Sequence, residues 1–251
     1  TALVWIRDDF RIQNNDALTY ATNQHDVVTA VFIFNSNIFD HKREAQKWWV
    51  SKSLENFKSD LKKLNIGLEI IKDDEINFFS KIKSNSKISV YWNKVYEPNE
   101  LEKDKKIGTD FSKKNIDFKF FKGNVLNEYN KITKNDGTPF KVYSPFWRNA
   151  EQFYLERLPD KISKVKKCKK INTLFKNQIK SEDILPKSDW YKKFEKYWEP
   201  SEQKAHENLD NFVNKSILNY GVDRDFPSIK GTSLLSPYIR NGQINVGDIW
   251  Q

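Results

Sequence analysis

The sequence of 251 residues contains a single cysteine, Cys168, and three histidines, and both scarcities exclude classes of site. One cysteine cannot form an internal disulfide or a cysteine-based metal site, and three scattered histidines do not supply a zinc site. We therefore expect no bound metal. Cys168 lies in the run Lys-Lys-Cys-Lys-Lys, where nearby positive charge could lower its pKa, but we interpret it as an incidental surface thiol.

Long apolar runs and several well-known motifs are also missing. No run approaches the length that spans a membrane, and the residues from Thr1 onward lack a signal-peptide pattern, so we expect a soluble cytoplasmic protein. No Gly-x-Gly-x-x-Gly or P-loop pattern occurs, which argues against classical dinucleotide binding and P-loop chemistry. No Ser-His-Asp candidate has a nucleophile elbow. Methionine is absent, including an initiator, which fits a processed or incomplete chain.

The charge balance points towards anionic partners. The net charge is +9, and nucleic acid is the usual partner of such a chain. The same balance can arise from biased coding, because the chain is rich in Lys, Asn and Ile. Aromatic residues make up 14% of the chain, and such residues build cores and stack on flat ligands alike.

Strand-like and helix-like segments alternate over residues 1–125. This alternation predicts an α/β domain with a doubly wound, Rossmann-like parallel sheet. The predicted strands are Ala2–Ile6, Val27–Phe34, Leu68–Ile71, Ile88–Trp92 and Phe118–Phe121. The predicted helices are Ala17–Thr22, Lys42–Leu64, Ile76–Ile82 and Glu97–Phe111.

The pattern breaks after about Gly123. Residues 126–200 carry turn signals and then a lysine-rich stretch, and we interpret them as a connector that wraps another part of the chain or is partly mobile. Helical periodicity returns at Glu202–Leu218, with Ser201 as the expected N-cap. Residues 201–251 are therefore interpreted as the beginning of a helical domain.

Polar residues follow the first and fourth predicted strands, where α/β folds bind ligands. Arg7, Asp8 and Arg11 follow the first, although a surface salt-bridge cluster that caps the next helix is the favoured alternative. After the fourth strand, the adjacent amide and carboxylate groups in the segment 93–100 could bind the edge of a pterin-like ring. The same segment suits a helix start, with acidic residues near its positive end, and both interpretations can hold together.

A further candidate site lies near the end of the chain. Gly231 allows a close backbone approach, and the hydroxyls of Thr232, Ser233 and Ser236 lie near a predicted helix start. Such a group suits a phosphate. A plain capped turn explains the same residues, and physical argument alone favours that alternative.

Three ordered segments together resemble the DNA photolyase/cryptochrome family, in its class I-like form. They are Leu3-Val-Trp-Ile-Arg-Asp-Asp-Phe-Arg-Ile, Ser144-Pro-Phe-Trp-Arg and Gly231-Thr-Ser-Leu-Leu-Ser-Pro-Tyr-Ile-Arg. The resemblance implies an N-terminal antenna domain, a connector and the start of an all-α FAD-binding domain, most of which lies beyond Gln251. The segment around Ser144 is expected to be structural, with Ser144 capping a helix that Pro145 opens.

The resemblance also implies roles for individual residues. The FAD-binding residues would be Tyr220, Thr232, Ser233, Leu234, Leu235 and Ser236. A folate antenna, expected to be 5,10-methenyltetrahydrofolate, would contact Asn99 and Glu100, with His41 a weaker candidate. Arg224 matches the position that contacts DNA, and the catalytic residues are expected beyond Gln251.

The function implied is light-dependent repair of ultraviolet-damaged DNA, in which reduced FAD donates an electron to split a cyclobutane pyrimidine dimer. We expect a monomer that needs no obligate protein partner, and we expect the 251 residues alone to be inactive. The alternatives are a cryptochrome photoreceptor, a (6–4) photolyase, and a stand-alone α/β domain that carries only an antenna-like ligand. The hydroxyl-rich segment 232–236 argues against the last of these.

Overall fold

One five-stranded parallel sheet organises the computed structural model, which describes residues 1–39, 44–128, 130–155 and 164–250. Its strands are β1 (Ala2–Ile6), β2 (Val28–Phe34), β3 (Gly67–Lys72), β4 (Ser89–Asn93) and β5 (Phe118–Phe121). They lie in the order β3-β2-β1-β4-β5, so the chain winds outward from β1 and then returns to its other side. This order confirms the doubly wound prediction and places the switch point between β1 and β4.

The central strands are buried on both faces, as their continuous apolar runs predict. All of β1 is buried, as is β2 up to its last residue. One face of the sheet packs against a core that includes Phe10, Leu54 and Phe57. The other face carries Trp5 and Trp92, which belong to a second core together with Phe79 of the helix after β3 and Phe111 of the helix after β4. At the edge, β5 is only partly covered.

The described part of the chain contains ten α-helices. They are α1 (Asp16–Gln24), α2 (Ser36–Phe39), α3 (Glu44–Lys63), α4 (Glu75–Ser80), α5 (Pro98–Lys113), α6 (Tyr143–Leu155), α7 (Glu202–Lys215), α8 (Tyr220–Asp223), α9 (Ser236–Arg240) and α10 (Val246–Trp250). Short 3-10 helices lie at Ser84–Ser86, Ser181–Ile184, Asp189–Lys196 and Ile217–Asn219. In the described ranges no helix is both long and apolar enough to cross a membrane.

Side-chain caps fix several helix starts. Asn15 caps α1 by accepting a hydrogen bond from the Leu18 amide at 3.1 Å. Ser201 caps α7 through the Lys204 amide at 3.1 Å, which confirms the prediction for that residue. Ser144 is not a cap, because α6 begins one residue earlier. Pro145 then lies in the first turn, where a missing N–H costs nothing.

Residues 164–180, which we call the strap, run back across the α/β domain. The strap donates backbone hydrogen bonds to β3 and to the end of α3, from the Ile179 amide to the Ile70 carbonyl at 2.9 Å and from the Cys168 amide to the Leu64 carbonyl at 2.8 Å. Glu69 of β3, which is 2% exposed, accepts the amides of Leu174 at 2.7 Å and Phe175 at 2.9 Å. The lysine-rich connector therefore does wrap the sheet domain.

The interpretation of Cys168 as a surface thiol was wrong. Its side chain is 5% exposed and belongs to the core that also contains Phe10 and Leu54. Burial raises the pKa of the Cys168 thiol, which is opposite to the effect expected from the neighbouring lysines. Those four lysines are exposed, so their charges face solvent while the sulfur packs inward.

The segments after residue 185 pack on α3 through a third, mostly aromatic cluster. Trp48 and Trp49 of α3 meet Ala205, Tyr238 and Ile244 there. The Trp49 and Tyr238 rings are 5.0 Å apart, centroid to centroid. Trp49 Nε1 also donates a hydrogen bond to Gln243 at 2.8 Å. This cluster fixes the C-terminal segments against the α/β domain.

Candidate cofactor and DNA sites

Arg7 occupies the crevice beyond the carboxyl ends of β1 and β4. Its guanidinium donates to Asp104 at 2.9 Å and to the Asn93 carbonyl at 2.7 Å, and it lies 4.1 Å from the centroid of a Trp5 ring. Burial raises the pKa of Asp104, and the charge of Arg7 opposes that rise. The Arg7 side chain is 9% exposed, so its assignment to a surface salt-bridge cluster was wrong.

A chain of ion pairs extends from Arg7 along the crevice. Glu100 lies 3.4 Å from Arg7 and 2.9 Å from Lys103, and Lys103 reaches Glu75 at 3.0 Å. The cavity that remains beside these groups has a volume of about 130 Å³. Pockets that enclose a cofactor-sized ligand measure roughly 300–1,000 Å³. The crevice is therefore smaller than the pockets that enclose a whole cofactor.

The two candidate antenna residues, Asn99 and Glu100, differ in their surroundings. Glu100 turns inward to its ion pairs, whereas Asn99 is exposed in the first turn of α5. Glu97 holds the N-cap position of that helix and Pro98 its first position, so the helix-start interpretation is confirmed. His41, the weaker antenna candidate, lies outside the described residues.

Asp8 and Arg11 connect the first strand to the C-terminal segments and do not form a surface cluster. Asp8 pairs with Arg240 of α9 at 2.5 Å. Arg11 is buried, and its guanidinium donates to the carbonyls of Gly242 at 3.0 Å and Asn14 at 3.1 Å. Burial lowers the pKa of Arg11. These contacts tie the end of β1 to the turn after α9.

Two further residues complete this junction, and neither was predicted from the sequence. Gly242 has a φ of +62°, and a Cβ atom built there would lie 1.9 Å from the carbonyl oxygen of Asp8. Glu202 accepts the amides of Ile12 at 2.6 Å and Gln13 at 2.8 Å. Their partners are far away in the sequence, so no local pattern marks them.

The hydroxyl-rich segment forms an irregular loop that leads into α9. Leu235 is buried and anchors the loop, whereas Leu234 is 55% exposed with a φ of +54°. The Leu235 amide donates to Ser233 Oγ at 3.4 Å. The side chains of Thr232 and Ser236 are exposed, and within the described residues neither makes a hydrogen bond.

Tyr220 and Arg224 lie next to this loop. A Cβ atom built on Gly231 would lie 2.5 Å from Asp223 Cβ, so the start of the loop touches α8. The Arg224 guanidinium lies 5.7 Å from the centroid of the Tyr220 ring, and its Nε atom lies 3.7 Å from Asp225 Oδ1. Both side chains are exposed. The structure thus brings the candidate flavin and DNA residues into one region.

Comparisons with known proteins show which family the chain resembles. The family model described as DNA photolyase matches residues 2–164. A deoxyribodipyrimidine photo-lyase of Agrobacterium fabrum is 30% identical over 99% of this chain and 52% of its own length. The crystal structure of a class III photolyase from Agrobacterium tumefaciens is similar with a TM-score of 0.86 and 29% identity, over 99% of this chain and 52% of that one.

Cryptochrome-1 of Arabidopsis thaliana is a more distant relative, 24% identical over 99% of this chain and 37% of its own length. The chain thus spans about half, or less, of these relatives. The family match covers more than half of the chain, and the strand order, the junction after β1 and the loop before α9 lie within the aligned ranges. The chain belongs to the DNA photolyase/cryptochrome family.

Proposed function

We propose that the full-length protein is a light-dependent DNA repair flavoprotein that splits cyclobutane pyrimidine dimers. One observation carries the proposal: the loop 231–236, with its exposed hydroxyls, lies against the short helix that begins at Tyr220 and has Arg224 as its C-cap. A phosphate-binding loop, an aromatic ring and an exposed arginine at one place suit a bound dinucleotide beside a DNA backbone. The relative named deoxyribodipyrimidine photo-lyase supports the same activity.

The residues present fit the diphosphate of FAD. Thr232 and Ser236 offer hydroxyls without competing partners among the described residues, and the backbone between them enters the left-handed region at Leu234. Tyr220 packs edge-on against Phe212 at 5.5 Å, which holds its ring at the side of the loop. When bound, a reduced flavin would supply the electron that splits the dimer. The chain's own contribution is to bind and orient.

Replacing both Thr232 and Ser236 by alanine is expected to weaken FAD binding. Each lost hydrogen bond to a charged phosphate costs about 1.5–3 kcal/mol, so the dissociation constant should rise by at least about a hundredfold. Flavin absorbance after desalting and a fluorescence titration measure the change in the full-length protein. The control is Thr109→Ala with Ser112→Ala, two hydroxyls of α5 that bond to their own helix. Full flavin retention in the first variant would rule out this loop.

We also propose that Asn99 and Glu100 contact a reduced folate antenna, expected to be 5,10-methenyltetrahydrofolate. Because the crevice is smaller than the pockets that enclose a whole cofactor, the ring would lie at its mouth, at the start of α5, where Asn99 is exposed and the Glu100 side chain remains 19% exposed. Replacing both residues by alanine should remove antenna absorption, whereas repair under direct flavin excitation persists. Glu102→Gln, on the exposed side of the same helix, is the control. Unchanged folate occupancy in the double variant would place the antenna elsewhere.

Arg224 is proposed to contact a DNA phosphate beside the lesion. Arg224→Ala should weaken binding of damaged and undamaged duplex by similar factors, because phosphate contacts carry no sequence information. The magnitude of the slope of log K against log salt should fall by about 1, the value for one lost phosphate contact. Asp225→Asn removes the weak ion pair to Arg224 and keeps the arginine, so it should not weaken binding. If the salt slope is unchanged and flavin or stability is lost instead, Arg224 only shapes the loop.

A cryptochrome photoreceptor is the second candidate function, and the similarity to Arabidopsis cryptochrome-1 supports it. A (6–4) photolyase is the third. An assay of dimer splitting in the light, run on cyclobutane and (6–4) substrates with a dark control, separates the three. Splitting of the cyclobutane dimer alone supports our proposal, and no splitting of either substrate contradicts it.

A further inference from the structure

A second and larger cavity lies at the edge of the sheet, beyond the carboxyl end of β3. Its volume is about 690 Å³, within the range of roughly 300–1,000 Å³ typical of small-molecule sites. One wall is α4 with the turn after it, and the other is the strap. We call it the edge pocket. It is lined by Ile71, Lys72, Asp73, Phe78, Lys81, Ile82, Lys83, Asn85, Ile88, Leu174, Phe175, Lys176 and Asn177.

The edge pocket is separate from the sites described above. It shares no lining residue with the small crevice beside Arg7, and none with the loop 231–236. Its strap wall is held in place by Glu69, whose buried carboxylate accepts the amides of Leu174 and Phe175. Two backbone bonds to a buried charge fix this wall, so the pocket is a preformed feature of the fold.

The floor of the edge pocket is aromatic and aliphatic. The rings of Phe78 and Phe175 meet edge-to-face with centroids 4.9 Å apart, one from each wall. Ile82 and Ile88 extend the apolar surface beside them. A flat ring system gains both apolar burial and favourable edge-to-face contacts on such a floor.

The rim of the edge pocket carries an excess of positive charge. Four lysines line it against one aspartate. Lys81 pairs with Asp73 at 2.6 Å. Lys72, Lys83 and Lys176 make no ion pair within the described ranges, which leaves three cations around an apolar floor. This combination is complementary to an anion with an apolar body.

We propose that the edge pocket binds a small aromatic anion, a fused ring system bearing a phosphate, sulfonate or carboxylate. The rings lie against Phe78 and Phe175, and the anionic group faces the unpaired lysines of the rim. The ligand binds independently of the flavin loop, because the two sites share no residue.

Isothermal titration of the full-length protein with 1-naphthyl phosphate tests the proposal. We expect saturable binding of one molecule, and binding of the uncharged 1-naphthol weaker by about tenfold or more. The double variant Lys83→Glu with Lys176→Glu should also weaken the binding of 1-naphthyl phosphate by about tenfold or more. The matched control is Lys105→Glu with Lys106→Glu, which changes the net charge equally on an exposed part of α5. Thr232→Ala with Ser236→Ala should leave this binding unchanged.

Three outcomes would overturn the proposal. If the two double lysine variants weaken 1-naphthyl phosphate binding equally, the effect is one of net charge and not of this pocket. If neither double variant weakens binding of 1-naphthyl phosphate, the anion binds elsewhere. If decanoate binds as tightly as 1-naphthyl phosphate, and Phe175→Leu affects neither, the pocket does not select a ring. Circular dichroism and thermal unfolding establish that each variant is folded.

Discussion

Replacing Gly242 by alanine is expected to lower the free energy of unfolding by more than about 3 kcal/mol. Two costs add at this position. The φ of +62° is unfavourable for any residue with a Cβ atom, and that atom would lie 1.9 Å from the Asp8 carbonyl oxygen and 2.6 Å from its carbon. Relief requires the turn after α9 to move away from β1, which breaks the hydrogen bond from Arg11 to the Gly242 carbonyl.

Gly137→Ala is the matched control for this experiment. Gly137 also has a positive φ, +77°, but nothing lies within 4 Å of a Cβ atom built there. Its replacement therefore carries only the backbone cost of about 1–2 kcal/mol. Denaturant unfolding of both variants gives the comparison. Equal losses would mean that the close approach to Asp8 contributes nothing, contrary to our expectation.

Glu202→Ala should cost about 3 kcal/mol of stability. The carboxylate accepts the amides of Ile12 and Gln13, and both would remain in a partly buried site without an acceptor. The buried guanidinium of Arg11 would also lose one of the negative charges that favour its ionised form. The same denaturant experiment measures the loss.

Two variants control for the loss of Glu202. Glu202→Gln keeps one acceptor oxygen, so it should cost less than the alanine variant. Glu207→Ala removes an exposed carboxylate of the same helix that pairs with Lys204, and exposed pairs contribute about 0–1 kcal/mol. A cost for Glu202→Ala no larger than that for Glu207→Ala would show that the junction does not depend on this carboxylate.

The sheet could be predicted from the sequence because its information is local. Each strand is a short apolar run, and every predicted boundary lies within one residue of the observed one. The predicted cap Ser201 likewise acts on an amide three residues away. The doubly wound class of sheet followed from the alternation of strands and helices, which leaves few right-handed arrangements. The strand order itself was not predicted and comes from the structure.

The junction after β1 could not be predicted, because its partners are remote in the chain. Arg7 looked exposed, yet it pairs with Asp104, and Glu202 binds amides about 190 residues away. Cys168 was misjudged for a related reason. Its flanking lysines are typical of an exposed segment. Only the position of the strap in the folded protein shows that the cysteine between them faces a core.

The strap has a consequence for synthesis of the protein. Cys168 and Ile184 belong to the same core as β1 and β2, so the α/β domain lacks part of its interior until the ribosome has passed residue 184. By then the five strands have been made and can already pair. Since contacts between distant residues form slowly, the growing chain would keep the strap's binding surface on β3 open to solvent for several seconds at typical elongation rates of about 5–20 residues per second. During that time the surface is exposed to chaperones and to neighbouring nascent chains.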